Sequence, residues 1–350
     1  MISVIHIVGA RPQFVKLAPL YHQMNNAGFS QEILHTGQHY DSNMSENFFT
    51  TLEIPTPNFN LSVNNLSHGA MTGRMIEKIE QILQNKSYNY IILYGDTNST
   101  LAGAIAGKKL KFKIIHIESG VRNNDNYMPE EINRILTDRI SDLLFCSSSL
   151  SYNNLINEGL KFNNSNCYNV GDLMFESFIN NHKNNCNDIS NNILFTCHRE
   201  ENVTKKNLSE IISALNELSK QFKIIFPAHP STKNKIIKYG IDCNFQILDP
   251  MVYRDLLGQI AKSKFIITDS GGLIKEAYWL EKPSLSIMKN PVWPELLKAS
   301  VSYNTAPVFI DIINQFQKLE LIKKYKKGIF GHGDTSRRIV DIIIKNYKNE

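Results

Sequence analysis

The chain has 350 residues, room for about two domains of ordinary size. A composition of 42% hydrophobic and 20% charged residues excludes wholesale disorder and a collagen-like fibre. The 38 basic and 33 acidic residues leave a net charge of +5, but they are spread along the chain. That scatter argues against a nucleic-acid-binding arm and is compatible with an anionic small substrate.

Short apolar runs, each followed by a helical pattern, recur from the N-terminus. "ISVIHIVG" predicts a buried strand, and "RPQFVKLAPLYHQMNNAG" a helix ending at Gly28. "EILHTGQ" is the next strand, "GAMTGRMIEKIEQILQN" an amphipathic helix, "YNYIILYGD" a strand and "TNSTLAGAIAGKKL" a helix of small residues. "KIIHIESG" is a further strand. "PEEINRILTDRISDLLF" starts as a helix and runs into a strand near "LLFCSS". The polar stretch "NNHKNNCNDISNN" reads as a linker or exposed loop. The alternation then restarts through "ILFTCH", "KIIFPAHP", "FQILDP", "FIITDSGG" and "PSLSIM", with helices between. It closes on "TSRRIVDIIIKNY", a helix for which Thr335 or Ser336 is the expected N-cap. Such alternation predicts an α/β protein of two parallel-sheet domains, with ligands at the carboxyl ends of the strands.

Five cysteines, an odd number with no C-x-x-C pair, argue against a disulfide framework and a Cys-rich zinc site, and suggest a reducing cytoplasm. "ISVIHIVGA" carries no signal-peptide pattern, and no apolar run reaches the ~18–20 residues of a membrane span. Neither H-E-x-x-H nor tight His/Cys spacing occurs, so no metal is expected.

Chemistry is therefore sought just after each strand. Gly9 before a helix start, with Arg11 and Lys16 following, suggests an anion site of backbone N–H groups and cations, although an ordinary strand-to-helix turn explains it equally. It matches neither a dinucleotide fingerprint nor a P-loop. Asp96, Glu118, Glu130 and Glu131 sit at strand ends or helix starts, where one site could collect them for acid/base work. N-capping competes as an explanation for Asp96, and helix-dipole compensation behind Pro129 for Glu130 and Glu131. Glu118 needs a partner, for which Arg122 and Arg134 are candidates. His198 and His229 end strands in the second half. "ITDSGGLIKEA" is the sharpest local signal: Ser270, Gly271 and Gly272 open a helix where a phosphate can meet backbone N–H groups, and Glu276 lies one turn further in.

"GARPQFVKLAPL", "TGQHYD", "GDTNSTLAGA", "HIESGVRNND", "MPEEINRILTDRISDLLFCS", "NVGD", "TCHREENV", "PAHP", "TDSGGLIKEA" and "GDTSRRI" occur in this order over nearly the whole chain. Together they resemble the bacterial non-hydrolysing UDP-N-acetylglucosamine 2-epimerase family. The resemblance implies a GT-B-like fold, two Rossmann-like domains whose parallel sheets face a central cleft. Residues 1–170 would carry the catalytic carboxylates, 171–333 would bind UDP, and a C-terminal helix at 334–350 would cross back. It implies 2-epimerisation of a UDP-2-acetamido sugar by elimination of UDP to a glycal and re-addition, with no cofactor, in a cytoplasmic homodimer that serves surface-polysaccharide synthesis (capsule or lipopolysaccharide). Asp96, Glu118 and Glu130 match the family's catalytic carboxylates, with no single one singled out as base. Arg11, Lys16 and His198 match its phosphate-side residues, His198 assisting departure and return of the diphosphate. Ser270, Gly271 and Gly272 match its diphosphate turn, and Glu276 its ribose carboxylate. Tyr253 falls near the expected uridine, and Arg122 among the substrate-binding residues.

The chain also departs from the family pattern. Where the family commonly has Thr-Glu-Arg-Pro-Glu, this chain reads "KNPVWPELLKA", with Trp293 in place of the arginine and Pro294 and Glu295 kept. "SHGAMTGRM" replaces a Gln-rich patch associated with an allosteric activator, although Gln38 remains. This texture looks closer to relatives acting on UDP-2,3-diacetamido-2,3-dideoxyglucuronate, whose extra carboxylate would need a cation such as Lys289. A GT-B glycosyltransferase is the alternative of another class; it would have no use for the Asp96, Glu118 and Glu130 set.

Overall fold

The computed structural model describes residues 1–38, 46–160, 166–181 and 189–349. His39, Tyr40 and Asp41 of "TGQHYD", Cys186 and most of the polar linker lie outside the described residues, as does the side chain of Tyr253. The chain forms two units, Met1–Asn180 with Gly328–Glu350, and Asn181–Lys327.

The first unit carries seven parallel strands: β1 (Ser3–Val8), β2 (Ser30–His35), β3 (Phe59–Asn60), β4 (Tyr90–Tyr94), β5 (Lys113–Ser119), β6 (Leu143–Cys146) and β7 (Cys167–Asn169). Their order is β3-β2-β1-β4-β5-β6-β7. The connecting helices are α1 (Arg11–Asn26), α2 (Glu46–Thr51), α3 (His68–Leu83), α4 (Asn98–Lys109), α5 (Pro129–Ile140), α6 (Ser149–Asn157) and α7 (Leu173–Asn181). Alternate residues of β1 feed opposite faces of the sheet. Val4 and Val8 join Phe14 and Leu17 of α1 on one side. Ile5 and Ile7 join Met75 and Ile79 of α3 and Ala102 and Ala106 of α4 on the other. The small residues of α4 let that helix lie almost wholly buried against the sheet.

The second unit has six parallel strands: β8 (Ser190–Thr196), β9 (Lys223–Pro227), β10 (Ile247–Leu248), β11 (Ser263–Thr268), β12 (Ser284–Ile287) and β13 (Ser302–Thr305), in the order β10-β9-β8-β11-β12-β13. Its helices are α8 (Lys205–Leu218), α9 (Pro230–Tyr239), α10 (Tyr253–Lys262), α11 (Gly271–Trp279), α12 (Pro294–Lys298) and α13 (Phe309–Leu319). Phe195, Phe226 and Phe265 pack there with Ile211 and Leu215 of α8 and Phe316 of α13.

The last helix, α14 (Thr335–Lys348), belongs to the first unit, where Ile339, Val340 and Ile343 complete the α1 face. Asp334 is its N-cap, not Thr335 or Ser336. Those two hydroxyls are taken by the body of the unit: Thr335 donates to the Val170 carbonyl and Ser336 to Glu176 at 2.5 Å. Helix α7 is held to the first unit in the same way, Ser177 donating to the Val15 carbonyl at 2.5 Å. The first unit therefore runs to Asn180, past the boundary at 170 that the motifs suggest.

In both sheets the strand order reverses at one place, between β1 and β4 in the first and between β8 and β11 in the second. Loops leaving strands on either side of such a reversal diverge and open a crevice at their carboxyl ends.

Two histidines sit inside the first unit as neutral rings. His6 accepts from the Tyr94 hydroxyl at 2.8 Å through Nδ1 and donates to Gln31 Oε1 at 3.0 Å through Nε2. Burial lowers its pKa to about 4, although the Gln31 bond opposes the shift. His35, whose Nδ1 accepts from Gly37 N at 2.7 Å, is lowered by burial to about 4 as well. Both folded values lie below the 6.5 of an unperturbed histidine, so the unfolded chain takes up protons first as the pH drops. Their stabilising contribution is complete above pH 6.5 and is lost as the pH falls toward 4, about 3 kcal/mol for each fully buried ring. Urea midpoints measured between pH 7.5 and 4 should fall through that window, and a flat profile would contradict neutral burial.

Candidate active site

The turn after β1 does not present its backbone to an anion. Gly9 N and Ala10 N both donate to Gln13 Oε1, at 2.7 and 3.0 Å, and Gln13 Nε2 donates to the Tyr94 carbonyl at 2.6 Å. The expected anion donors are thus consumed in tying α1 to β4. Glycine is required at position 9 for space, since a Cβ there would overlap Ser99 Oγ and Thr36 Oγ1. Arg11 is exposed at the first residue of α1.

Lys16, one turn further on, is buried and meets Glu118: Nζ to Oε1 is 2.7 Å, with the side chains 6% and 12% exposed. Glu118 occupies the left-handed region at φ 67°, where β5 shifts register against β6 between Ile117 and Ser119. A non-glycine residue there stores about 1–3 kcal/mol of strain, and bulges re-aim side chains next to functional sites. The turn after β4 approaches the same pair. Gly95, at φ 63°, would carry a Cβ 3.6 Å from Lys16 Nζ and 3.7 Å from Glu118 Oε1.

Asp96 follows in that turn and is not a helix cap. Thr97 caps α4, accepting from Thr100 N. The Asp96 carboxylate is 30% exposed and pairs with Arg134, which also holds Glu131 Oε2 at 2.5 Å. Glu131 is buried and accepts from Asn123 N and Asn124 N, each at 3.0 Å. Its neighbour Glu130 is half-buried in the first turn of α5 and makes no hydrogen bond or ion pair among the described residues. The two adjacent acids therefore differ: Glu131 is structural, and Glu130 keeps its carboxylate uncommitted. Arg134 is the residue that sequence reasoning underrated; its position one turn after Glu130 and Glu131 was the available signal.

Arg122 is held by its own unit. Nε and Nη2 clasp Glu158 at 2.7 and 2.9 Å, and Nη1 contacts Asp138 at 2.8 Å and the Val121 carbonyl at 2.7 Å. Most of its donors are thus engaged inside the unit, which gives it a framework role.

In the second unit the loops after β8 and β11 meet on one carboxylate. Asp269, 1% exposed, accepts from His198 N at 2.9 Å, Arg199 N at 2.9 Å and Asn202 Nδ2 at 3.2 Å. His198 Nδ1 lies 3.0 Å from Asp269 Oδ1, with the imidazole 53% exposed. Burial alone would raise the Asp269 pKa, but His198 and the backbone donors outweigh it and hold it below the usual range. Asp269 thus fixes the His198 ring and leaves Nε2 uncommitted among the described residues.

Ser270 caps α11, its Oγ accepting from Leu273 N at 3.4 Å, and Gly271 and Gly272 form the first helical residues. Trp293 bonds this turn from outside, Nε1 donating to the Gly271 carbonyl at 2.8 Å. Lys275 and Glu276, further along α11, are buried. His229 caps α9 by accepting from Ser231 N, a structural duty. Among the described residues, no group of three or more His, Cys, Asp or Glu side chains is placed to hold a metal ion, and no helix is long and apolar enough to cross a membrane.

The family model described as UDP-N-acetylglucosamine 2-epimerase matches residues 22–344. A UDP-N-acetylglucosamine 2-epimerase homolog of Methanococcus maripaludis is 42% identical, over 97% of this chain and 99% of its own length. The UDP-2,3-diacetamido-2,3-dideoxy-D-glucuronate 2-epimerase of Pseudomonas aeruginosa is 37% identical, over 98% and 99%. The crystal structure of Methanocaldococcus jannaschii UDP-GlcNAc 2-epimerase in complex with UDP-GlcNAc and UDP superposes with a TM-score of 0.87 at 32% identity, covering 98% of this chain and 99% of that one.

The Asp269 cluster makes a stability prediction. Asp269→Asn replaces one acceptor oxygen by an amide that faces other donors, which costs about 1–3 kcal/mol. The thermal midpoint should drop by several degrees, and an unchanged melt would show that the carboxylate does not organise the loop.

Proposed function

The chain belongs to the UDP-N-acetylglucosamine 2-epimerase family, and from that premise we propose that it inverts carbon 2 of UDP-N-acetylglucosamine, giving the manno epimer. Epimerases are isomerases, so the chain is an enzyme. Its fold is of the GT-B class, two α/β units with parallel sheets.

The reaction we assign removes the C2 proton and breaks the bond from C1 to the diphosphate oxygen, on opposite faces of the ring. UDP leaves as the anion and a 2-acetamidoglucal remains. Re-addition of UDP to C1, with a proton delivered to the other face of C2, completes the inversion. No net oxidation occurs, so the route calls for no redox cofactor.

The carrying observation is the polar group at the ends of β1, β4 and β5: Lys16 on Glu118, the turn at Gly95, and Asp96 on Arg134. Carboxylates in such surroundings have the means to hold and release a proton. We assign the C2 proton transfers to Asp96, Glu118 and Glu130. Lys16 serves as the cation paired with Glu118 in its buried position. In the second unit, Ser270 and the N–H groups of Gly271 and Gly272 suit a diphosphate at a helix start. His198 adds a donor for it, Glu276 is assigned the ribose and Tyr253 the uridine, and Arg11 in the first unit is assigned to phosphate binding. Stabilising the departing diphosphate is the larger share of the catalytic task. A homodimer working in the cytoplasm toward a surface polysaccharide completes the reading.

A second substrate is favoured by one finding, the 37% identity to the diacetamido-glucuronate epimerase. The same chemistry at C2 would then act on a sugar bearing an additional carboxylate and amide, with Lys289 as its candidate cation.

Proton NMR in D₂O with UDP-N-acetylglucosamine decides between them. A second anomeric signal with deuterium appearing at C2 supports the first reading. UDP binding without exchange sends the test to the diacetamido-uronate, and inertness toward both overturns the proposal. Asp96→Asn and Glu118→Gln should each lower turnover by about 100-fold or more while UDP affinity stays within about threefold. Ser270→Ala should weaken UDP by about tenfold, through loss of one hydroxyl donor to the phosphate.

A further inference from the structure

Behind the carboxylates lies a charged couple that the reaction as written does not use. His116 on β5 and Asp138 on α5 are both 0% exposed. His116 Nε2 is 2.7 Å from the Gly95 carbonyl oxygen and Nδ1 is 2.7 Å from Asp138 Oδ1. A carbonyl only accepts, so Nε2 carries a proton. The other oxygen of Asp138 receives Gly120 N at 3.1 Å and lies 2.8 Å from Arg122 Nη1. Burial alone would raise the Asp138 pKa, but His116 and Arg122 outweigh it and keep the carboxylate ionised. Each ring nitrogen of His116 thus has one fixed partner, the carbonyl on one side and the carboxylate on the other. The couple is joined through Arg122 to Glu158, which Arg122 clasps.

What the couple holds is more telling than its charge. One end grips the carbonyl of Gly95, the residue before Asp96. The other end grips the N–H of Gly120, two residues after Glu118. Gly95 is tied to the same strand from its own N–H, which donates to the Ile117 carbonyl at 2.9 Å. On its Cα side Gly95 faces the Lys16–Glu118 pair. The turn bearing Asp96 and the bulge bearing Glu118 are thus pinned to each other from beneath, through backbone atoms, by two side chains that no solvent or substrate reaches. Buried ion pairs are poor sources of stability compared with apolar residues of like volume. This one joins two strand ends at which strained or left-handed backbone must be held in place.

We propose that His116 and Asp138 are positioning residues that set the distance between the Asp96 and Glu118 carboxylates. The inference rests on the catalytic reading of those two acids. Misplacing a reacting group by about 1 Å costs on the order of 100-fold in rate.

The test uses the full-length enzyme with whichever UDP-sugar the wild type turns over. His116→Gln keeps a donor for the Gly95 carbonyl but loses the second bond, to Asp138. Asp138→Asn keeps the shape but loses the charge, and serves as the second variant if the first folds poorly. Expected for both are a kcat and a C2 deuterium exchange rate reduced about 30- to 100-fold, with KM and UDP affinity within threefold of wild type. A kcat within threefold overturns the proposal. So does a parallel loss of kcat, UDP affinity and thermal stability, which would mark the couple as general scaffolding. A separate readout does not depend on turnover: long-range ¹H–¹⁵N spectra of the wild type should show a proton on His116 Nε2, protected from solvent exchange by the Gly95 carbonyl. An Nε2 without a proton overturns the couple itself. A protected Nε2 proton in a wild type inert toward both sugars would instead overturn the functional reading, and the catalytic role of the couple with it.

Discussion

In a parallel sheet every strand ends on the same side, and the loops leaving those ends carry backbone groups that the ladder no longer satisfies. Both sheets concentrate this demand where strand order reverses, after β1 and β4 in one and after β8 and β11 in the other. Buried polar groups must find partners. The chain meets that need with side chains reaching up from below: Gln13 for the turn after β1, His116 and Asp138 for the turns after β4 and β5, and Asp269 for the loop after β8. Most of the candidate site is arranged by these residues, none of which is exposed enough to meet a ligand itself.

Charge follows the same constraint. Lys16 with Glu118, Arg134 with Asp96 and Glu131, and Arg122 with Asp138 and Glu158 each place a largely buried charge beside another of opposite sign. Exposed pairs such as Arg74–Glu77 and Lys220–Glu217 contribute little. The buried ones contribute little net stability either, because desolvation offsets the attraction. Stability comes from the apolar faces of the two sheets, where each large side chain removed from water is worth about 1.5–3 kcal/mol. The folded core thus carries a set of ion pairs and a strained Glu118 that add little to its stability.

The alternation of apolar strands with helical patterns was legible because it depends only on side-chain periodicity. The short strands β7 and β13 were not: "CYN" and "SYNT" have too little apolar content to alternate. Motif residues were found because they follow strands, but what each one touches depends on partners distant in sequence. Gly9 before a helix reads as an anion turn until Gln13, four residues on, is seen to fill it. Arg122 reads as a free cation until Glu158 and Asp138 are seen to share it. Asp269 was visible as the end of a strand, yet attention goes to the Ser-Gly-Gly that follows, because nothing local shows that the loop 70 residues earlier folds onto its carboxylate. Thr335 and Ser336 look like caps because their hydroxyls could serve that purpose; Val170 and Glu176 claim them first.

Trp293 shows how a departure from the family pattern is absorbed. An arginine at this position would bring a cation and its donors to the start of α11. The indole keeps one donor and spends it on the Gly271 carbonyl, so the turn stays fixed. The charge is not lost from the neighbourhood: the Lys275 ammonium lies 4.1 Å from the centre of the indole ring, buried against it. A cation over an indole face is held by the ring quadrupole and needs less water than one in an aliphatic cavity. The cation at this turn therefore comes from within α11, beside a loop that itself carries Lys289. The indole is itself buried, so what it gives the turn is the fixed Gly271 carbonyl and the cover over Lys275.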